Sequence, residues 1–342
     1  MKSQVSSGEY VTLFHQDNFH IPDIYTQNRK VVLLTDEYIA GLYPAILRNY
    51  PTITIPSGEA HKTLESIAWI ISELVALEAD RNCLLIGLGG GVITDIAGLV
   101  ASIYMRGIAV GYIPTTLLAM VDAAIGGKTG INLGVHKNMI GTFRQPEFIL
   151  QDIHFLHTLS THEWSNGFSE IIKYAFLFDE NLISELEIHT LEYYRTNSDA
   201  LIKVIDTCAN WKLKTVTEDT LEKGNRKLLN FGHTIGHALE TLYKLSHGEA
   251  VSIGMVLASR LSEKLIGFTY KDTEHLIHIL SRYGLPVQTP FDAHLVASLI
   301  HSDKKRNNTH IDFILLKKPG EGIIHPVSLE ELTQFLTEIR NC

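Results

Sequence analysis

The sequence predicts an α/β chain in two parts: an N-terminal Rossmann-like parallel-sheet domain over residues 1–157 and a mainly α-helical domain over residues 158–342. Three observations predict it. At 342 residues the chain exceeds one ordinary hydrophobic core. In its first half, short continuous apolar runs alternate with helical patterns, the signature of parallel strands covered on both faces. From about Ser160 onward the apolar residues recur instead with the helical period of 3.6.

The elements follow in order. Val31–Leu34 is a continuous apolar run that ends at Asp36, and Thr52–Ile55 is a second one that enters Pro56-Ser-Gly-Glu59. A helical pattern runs from about His61 to Leu77. Cys83–Ile86 leads into the glycine turn Gly87–Gly91, and another helix starts near Thr94. Gly107–Ile113 is the next strand, and Pro114-Thr115-Thr116 caps the next helix. Beyond Leu159 the helical segments are Glu170–Phe178, Ser198–Thr217, Gly232–Tyr243 and Glu249–Leu265, with one hairpin near the end that includes Asp312–Lys317.

Composition is that of a globular chain, with 45% apolar and 20% charged residues. A formal charge of −9 argues against general nucleic-acid binding and requires that any anion site gather its own cations. Cys83, Cys208 and Cys342 are far apart and in no metal-type spacing, so they read as reduced thiols of a cytoplasmic protein. The N-terminus lacks the apolar stretch of a signal peptide, and the apolar run Ile96–Met105 is about half of a membrane span.

The strand-to-helix turn Gly89-Gly90-Gly91 lets the backbone approach a pyrophosphate, for which the helix N-terminus offers unpaired N–H groups. The spacing is not the regular dinucleotide fingerprint, because Val92 stands where its third glycine belongs, and a plain tight turn is the alternative reading. Asp36 is a candidate ribose ligand, and Asp95 either caps the helix or touches a cofactor. Gly126-Gly127-Lys128-Thr129 imitates the end of a P-loop, but position 122 is aspartate where that motif needs glycine.

His233 and His237 lie four apart, on one helical face, and His247 follows at a helix start. The residues between the first pair are Thr-Ile-Gly, so the metalloprotease motif with its internal glutamate is excluded. Three imidazoles at short range can hold a divalent ion, and Glu170, in an otherwise apolar stretch, is the best remote carboxylate. Lys173 shares its helical face, so an ordinary surface ion pair is the alternative reading of these two. Arg106, Lys128, Lys137, Lys173, Lys212, Arg226, Lys304 and Lys305 stand beside Gly, Asn or apolar residues more than in charged stripes, a set that suits a small polyanionic substrate.

With these residues in view, the sequence resembles the 3-dehydroquinate synthase family over nearly its whole length. The resemblance is carried by Pro56–Lys62, Gly89–Asp95, Pro114–Asp122, Gly126–Asn132, His136–Asn138, Gly167–Tyr174, Glu222–Arg226, Leu229–His237, His247–Ala250 and Asp303–Lys305. It implies NAD and one divalent metal, zinc or cobalt, with Glu170, His233 and His247 as ligands and His237 facing substrate. The implied NAD contacts are Asp36, Glu59, Lys62, Gly89, Gly90, Gly91, Asp95, Thr115 and Thr116, with Lys128 and Lys137 shared with substrate. The implied substrate and catalytic set is Asp122, Lys128, Lys137, Asn138, Lys173, Lys212, Glu222, Arg226, Asn230, His237, Lys304 and Lys305. Arg106 matches an arginine that reaches a neighbouring subunit's substrate, which implies a homodimer. Asn225 and Phe231 depart from the family's usual apolar choices without touching a proposed role.

The implied activity is that of a lyase of the shikimate pathway, in aromatic amino acid (chorismate) biosynthesis. It turns 3-deoxy-D-arabino-heptulosonate 7-phosphate into 3-dehydroquinate and phosphate. Transient oxidation by NAD is followed by phosphate elimination, reduction and an intramolecular aldol closure. Two rivals share the features read so far: another sugar-phosphate cyclase, whose substrate lacks a carboxylate, and a metal-dependent polyol dehydrogenase, which would release NADH.

Overall fold

The structure is a computed structural model that describes residues 4–7, 11–15, 21, 23–134, 136–303 and 310–339. The chain divides into two compact units, Met1–Leu159 and Ser160–Cys342.

The first unit is built on a seven-stranded sheet. Its strands are β1 (Gln4–Ser7), β2 (Val11–His15), β3 (Val31–Asp36), β4 (Thr52–Ile55), β5 (Leu84–Gly89), β6 (Ala109–Pro114) and β9 (Phe148–Gln151), in the order β1-β2-β9-β6-β5-β3-β4. Only the β1–β2 edge is antiparallel; every other neighbouring pair is parallel. β5 is buried at every position and β3 at all but its last, as continuous apolar runs require when helices cover both faces. The chain passes from β3 outward to β4, then crosses back to β5 and continues to β6. Strand order therefore reverses between β3 and β5, and a doubly wound sheet binds ligands at the carboxyl ends of such strands. Asp36, Gly89–Gly91 and Thr115 stand at those ends.

The glycine turn ends earlier than the apolar periodicity suggests. The helix after β5 is Gly91–Ile103, starting three residues before Thr94. The segment that imitates a P-loop is a hairpin: β7 (Lys128–Leu133) pairs antiparallel with β8 (His136–Phe143). Gly126 and Gly127 take left-handed φ of +99° and +67°, and Lys128 then opens a strand where a P-loop would open a helix.

The second unit is mainly helical. Its site-bearing helices are Thr161–Phe178, Ser198–Glu218, His233–Tyr243 and His247–Ile266. A hairpin of β10 (His310–Lys318) and β11 (Glu321–Ser328) precedes the last helix, Leu329–Ile339. An aromatic cluster helps to fix the Thr161–Phe178 helix: Phe168 stacks on Tyr283 at 4.4 Å between centroids and packs against Tyr194 at 5.3 Å.

Candidate active site

In the second unit the site is assembled from three helices. Ser160 caps Thr161–Phe178 by accepting from Glu163 N, and every residue from Trp164 to Leu177 is buried, Glu170 and Lys173 among them. His247 is the first residue of its helix, placed there by a full capping box between Ser246 and Glu249. His233 likewise opens its helix, after Gly232 in the left-handed region at φ +78°. The two histidine helices approach closely because glycines face each other: a Cβ on Gly254 would collide with the Gly232 carbonyl oxygen, and one on Gly236 would stand 2.9 Å from the Ala250 oxygen.

Glu170, His233 and His247 converge so that one ligand atom from each lies within 4.8 Å of the others. Glu170 Oε1 faces His247 Nε2 at 2.9 Å and His233 Nε2 at 3.4 Å. His233 Nδ1 lies 3.0 Å from the Phe231 carbonyl oxygen, to which it donates, and this bond orients the ring with Nε2 toward Glu170. One carboxylate oxygen and two oriented imidazole nitrogens are the donor set of a catalytic zinc-type site with an open position, so the residues present fit a divalent ion. His237, Glu240 and His247 form a second group of the same tightness, with His247 Nδ1 3.9 Å from Glu240 Oε2. His237 is exposed at the edge of the cluster, its ring 5.2 Å from His233 and 6.3 Å from His247.

Electrostatics sharpen the site. Burial alone would raise the Glu170 carboxyl, but the Lys173 ammonium, then His233, and hydrogen bonds from both histidines hold it well below the usual carboxylate range. Burial pulls His247 down, and hydrogen bonds first to Glu170 and then to Glu240 outweigh it and push its pKa up to about 9. Lys173 is thus no surface partner of Glu170: both are buried, the ammonium against Oε2.

The remaining residues of this unit follow the Ser198–Glu218 helix. Lys212 on that helix is buried, and Arg226 is 1% exposed. Arg226 Nη1 donates to the Thr220 carbonyl oxygen at 2.7 Å, and Asn230 Nδ2 donates to Glu222 Oε1 at 2.7 Å. Lys304 and Lys305 lie outside the described residues.

In the first unit, Lys62 is buried and its ammonium reaches both Asp95 Oδ2 and Asn138 Oδ1 at 2.6 Å. Three residues from separate motifs therefore form one polar knot. Asn132 ties it further: its N–H donates to the Lys62 oxygen at 2.8 Å, its amide to Glu59 Oε1 at 2.8 Å, and its Oδ1 accepts from Asn138 N at 2.9 Å. Asp36 caps the short helix after β3, with Oδ1 accepting from Tyr38 N, Ile39 N and Ser57 Oγ. Gly90 caps Gly91–Ile103 with no side-chain bond, so no capping side chain occupies the N-terminus of this 13-residue helix, the kind of end at which an anion binds. Beside it, Thr115 Oγ1 is buried without a hydrogen-bond partner, and a Cβ on Gly90 would come within 3.2 Å of Thr116 Cγ2. An unsatisfied hydroxyl next to a bare helix N-terminus fits a dinucleotide at this edge.

Asp122 lies in the π-helical turn Ala119–Ala123, whose Met120 carbonyl accepts from the buried Gln151 amide at 2.7 Å. Lys128, Lys137 and Asn138 are on the β7–β8 hairpin. Arg106 is exposed, in a turn where Met105, Arg106 and Gly107 all take positive φ.

Sequence reasoning missed Asn132, Asp219, Gln151 and Glu240. Glu240 had a signal, since positions 233, 237 and 240 share one helical face. Gln151 had none, as its partner is a carbonyl 31 residues away.

Residues 52–166 match the family model for the 3-dehydroquinate synthase N-terminal region, and residues 167–306 match that for its C-terminal region. The 3-dehydroquinate synthase of Pyrococcus abyssi is 47% identical, over 91% of this chain and 93% of its own. That of Streptococcus sanguinis is 40% identical, over 91% and 90%. Among solved structures, 2-epi-5-epi-valiolone synthase from Streptomyces hygroscopicus, with NAD+ and Zn2+ bound, is 28% identical with a TM-score of 0.85 over 99% of both chains. A 2-deoxy-scyllo-inosose synthase complexed with carbaglucose-6-phosphate, NAD+ and Co2+ shares the fold at 23% identity and a TM-score of 0.84, over 99% of both chains. With models spanning both halves and relatives this similar over nine-tenths of its length, the chain belongs to the 3-dehydroquinate synthase family.

Proposed function

We propose that the chain is a 3-dehydroquinate synthase, a phosphate-eliminating lyase that forms 3-dehydroquinate from 3-deoxy-D-arabino-heptulosonate 7-phosphate. The observation that carries this reading is the meeting of the buried Glu170 with the half-buried His233 and His247, in the same unit as the buried cations Lys173, Lys212 and Arg226. A polyol dehydrogenase needs the first group of residues. A substrate with both a carboxylate and a phosphate needs the cations as well.

The cofactors are NAD and one divalent metal, zinc or cobalt. When bound, NAD takes up and returns a hydride and the metal polarises the substrate hydroxyl and favours loss of its proton. NAD would be held by the N-terminus of Gly91–Ile103 with Thr115 and Thr116, by Asp36, and by the Lys62–Asp95 knot with Glu59. Glu170, His233 and His247 would hold the metal. Arg226 and Asn230 bind the carboxylate, with Lys212 beside them in role. Lys128, Lys137, Asn138 and Asp122 orient the sugar and, with Lys304 and Lys305, complete the substrate set. Lys173 belongs to the same substrate set and also holds Glu170 ionised. His237 and Glu222 hold and move protons at the substrate's hydroxyl and ring oxygens. The chain's main contribution is positioning and electrostatic complementarity to a multiply charged ligand.

We also propose a domain division near residue 157, a cytoplasmic location and a homodimer. The division accords with the compact units that meet at Leu159 and Ser160. Cys83 and Cys208 are buried as thiols rather than bridged, which suits a reducing compartment. Ile103 and Met105, next to Arg106, and Leu133, Met139 and Phe143 on the β7–β8 hairpin are exposed apolar side chains in one unit, with Ser102 Oγ bonded to Thr142 Oγ1 at 2.8 Å. Such a surface supports a subunit contact that carries Arg106 into the neighbouring subunit.

The likeness to 2-epi-5-epi-valiolone synthase keeps one second reading in play, a cyclase for a neutral sugar phosphate. Phosphate release measured with NAD and zinc separates the readings when heptulosonate 7-phosphate, sedoheptulose 7-phosphate and glucose 6-phosphate are compared. The expected result is release from the first alone, with dehydroquinate formed and no net NADH. Stoichiometric NADH accumulation defeats any cyclase reading, and preference for sedoheptulose phosphate favours the second one.

A further inference from the structure

We propose that Asp219 is the positioning residue of the substrate-binding turn: its carboxylate folds the backbone that carries Glu222 and Arg226, and through Glu222 it sets Asn230. The inference rests on the reading of these three residues as the substrate-binding and proton-transfer groups of a phosphate-eliminating cyclase.

Asp219 caps the C-terminal end of the Ser198–Glu218 helix, its own N–H donating to the Thr215 oxygen. A carboxylate is disfavoured there, since the last carbonyls of a helix already carry partial negative charge. A residue that breaks this local rule has to be compensated nearby, and such positions concentrate at functional sites. The compensation is visible. Asp219 Oδ1 accepts from Lys223 N at 3.0 Å, and Oδ2 accepts from Gly224 N at 2.7 Å and Arg226 N at 3.1 Å. Burial would raise the Asp219 carboxyl, but these N–H groups and the Arg226 charge hold it below the ordinary aspartate value. The carboxylate is an anion folded into a concave row of amides, the arrangement by which backbone dipoles bind anions.

The consequences fall on the functional side chains. Glu222, just before the first donor, is held at φ +58°, a left-handed conformation that glutamate adopts only when its surroundings demand it. From there its Oε1 accepts from Asn230 Nδ2. Arg226 supplies the third donor from its own backbone, and its guanidinium returns to the Thr220 oxygen, one residue after Asp219. The helix that ends on Asp219 also carries Lys212, seven residues and about two turns earlier, on the same face. One carboxylate therefore sets the register between Lys212 and the Glu222–Asn230 group.

The test uses the full chain loaded with NAD and zinc. Asp219→Asn keeps the size of the side chain but turns one acceptor into a donor that faces N–H groups. Its expected effect is a fall in kcat/KM for the heptulosonate phosphate of about 10–100-fold. The NAD dissociation constant, the metal content and Tm should stay close to those of the parent. Introduced into Arg226→Ala, the same change should cost much less, because the residue acts through that turn. Full additivity of the two losses, unchanged kinetics, or a parallel loss of NAD binding, metal and Tm overturns the proposal. Amide hydrogen exchange at Lys223, Gly224 and Arg226 provides a readout that does not depend on the reaction: protection should drop in Asp219→Asn, and retained protection overturns the proposal. A parent protein that releases no phosphate from any of the three sugars instead overturns the functional reading and leaves the exchange result standing.

Discussion

Glu170 divides its two carboxylate oxygens between opposite partners, with Lys173 one helical turn away against Oε2 and His247 Nε2 2.9 Å from Oε1. Both members of the Glu170–Lys173 pair are fully buried, so each offsets part of the cost of burying the other's charge.

Removing one charge from that pair takes a close counter-charge from the other, which stays buried. Glu170→Gln should therefore lower the stability of the metal-free protein by about 3–5 kcal/mol, besides abolishing tight metal binding. The depressed carboxyl sets the sign of the pH dependence: its contribution is full above the unfolded pKa of about 4.3 and is lost as pH falls through the folded value. The difference between parent and variant in urea unfolding should thus shrink on acidification from neutral pH. A difference below about 1 kcal/mol at neutral pH would sink this account of the pair.

The two overlapping donor groups make opposite predictions for two histidines. If Glu170, His233 and His247 hold the ion, His233→Ala loses stoichiometric zinc and His237→Ala keeps it while losing activity. NAD binding should survive in both. Metal analysis after dialysis decides the matter, and loss of zinc from His237→Ala would move the ion to the group formed with Glu240.

Gly254 sets the spacing between the helices that begin at His233 and His247. Gly254→Ala drives a methyl group into the Gly232 carbonyl and should cost about 1–3 kcal/mol by overpacking. Metal affinity should fall with it, since both imidazoles sit at the displaced helix ends. Competition with a chromophoric chelator measures the affinity, and an unchanged value would mean that the glycine contact does not position the site.

Cys83 is fully buried, and burial together with the Asp80 charge pushes its thiol up to about 11. A raised thiol pKa favours the fold below the unfolded value, about 8.5, and that advantage disappears as pH rises through 11. Cys83 should resist iodoacetamide at about pH 8 in the native protein and become labelled in urea. Peptide mapping reads this directly, and native labelling at the unfolded rate would contradict the burial.

Much of this protein was legible in the sequence because the signals are local. The buried runs Val31–Leu34 and Cys83–Ile86 mark strands, since a residue's tendency to hide both faces shows in its immediate neighbours. The glycine turn before Gly91–Ile103 and the i, i+4 histidines are legible for the same reason. The β7–β8 hairpin was not, because Gly126–Thr129 resembles a P-loop and only its antiparallel partner, His136–Phe143, reveals a strand.

The sequence by itself determined the two-part α/β chain, its glycine turn and the set of ionisable residues available for chemistry. The tertiary structure decided which of them meet. Glu170 and His247 are 77 residues apart, and no periodicity links them. Their meeting depends on two helices brought close by glycines and on a third buried along almost its whole length. The same packing turns the Glu170–Lys173 spacing, which could have been a surface ion pair, into a buried one. Local pattern records what each segment prefers to cover, whereas convergence depends on what covers it.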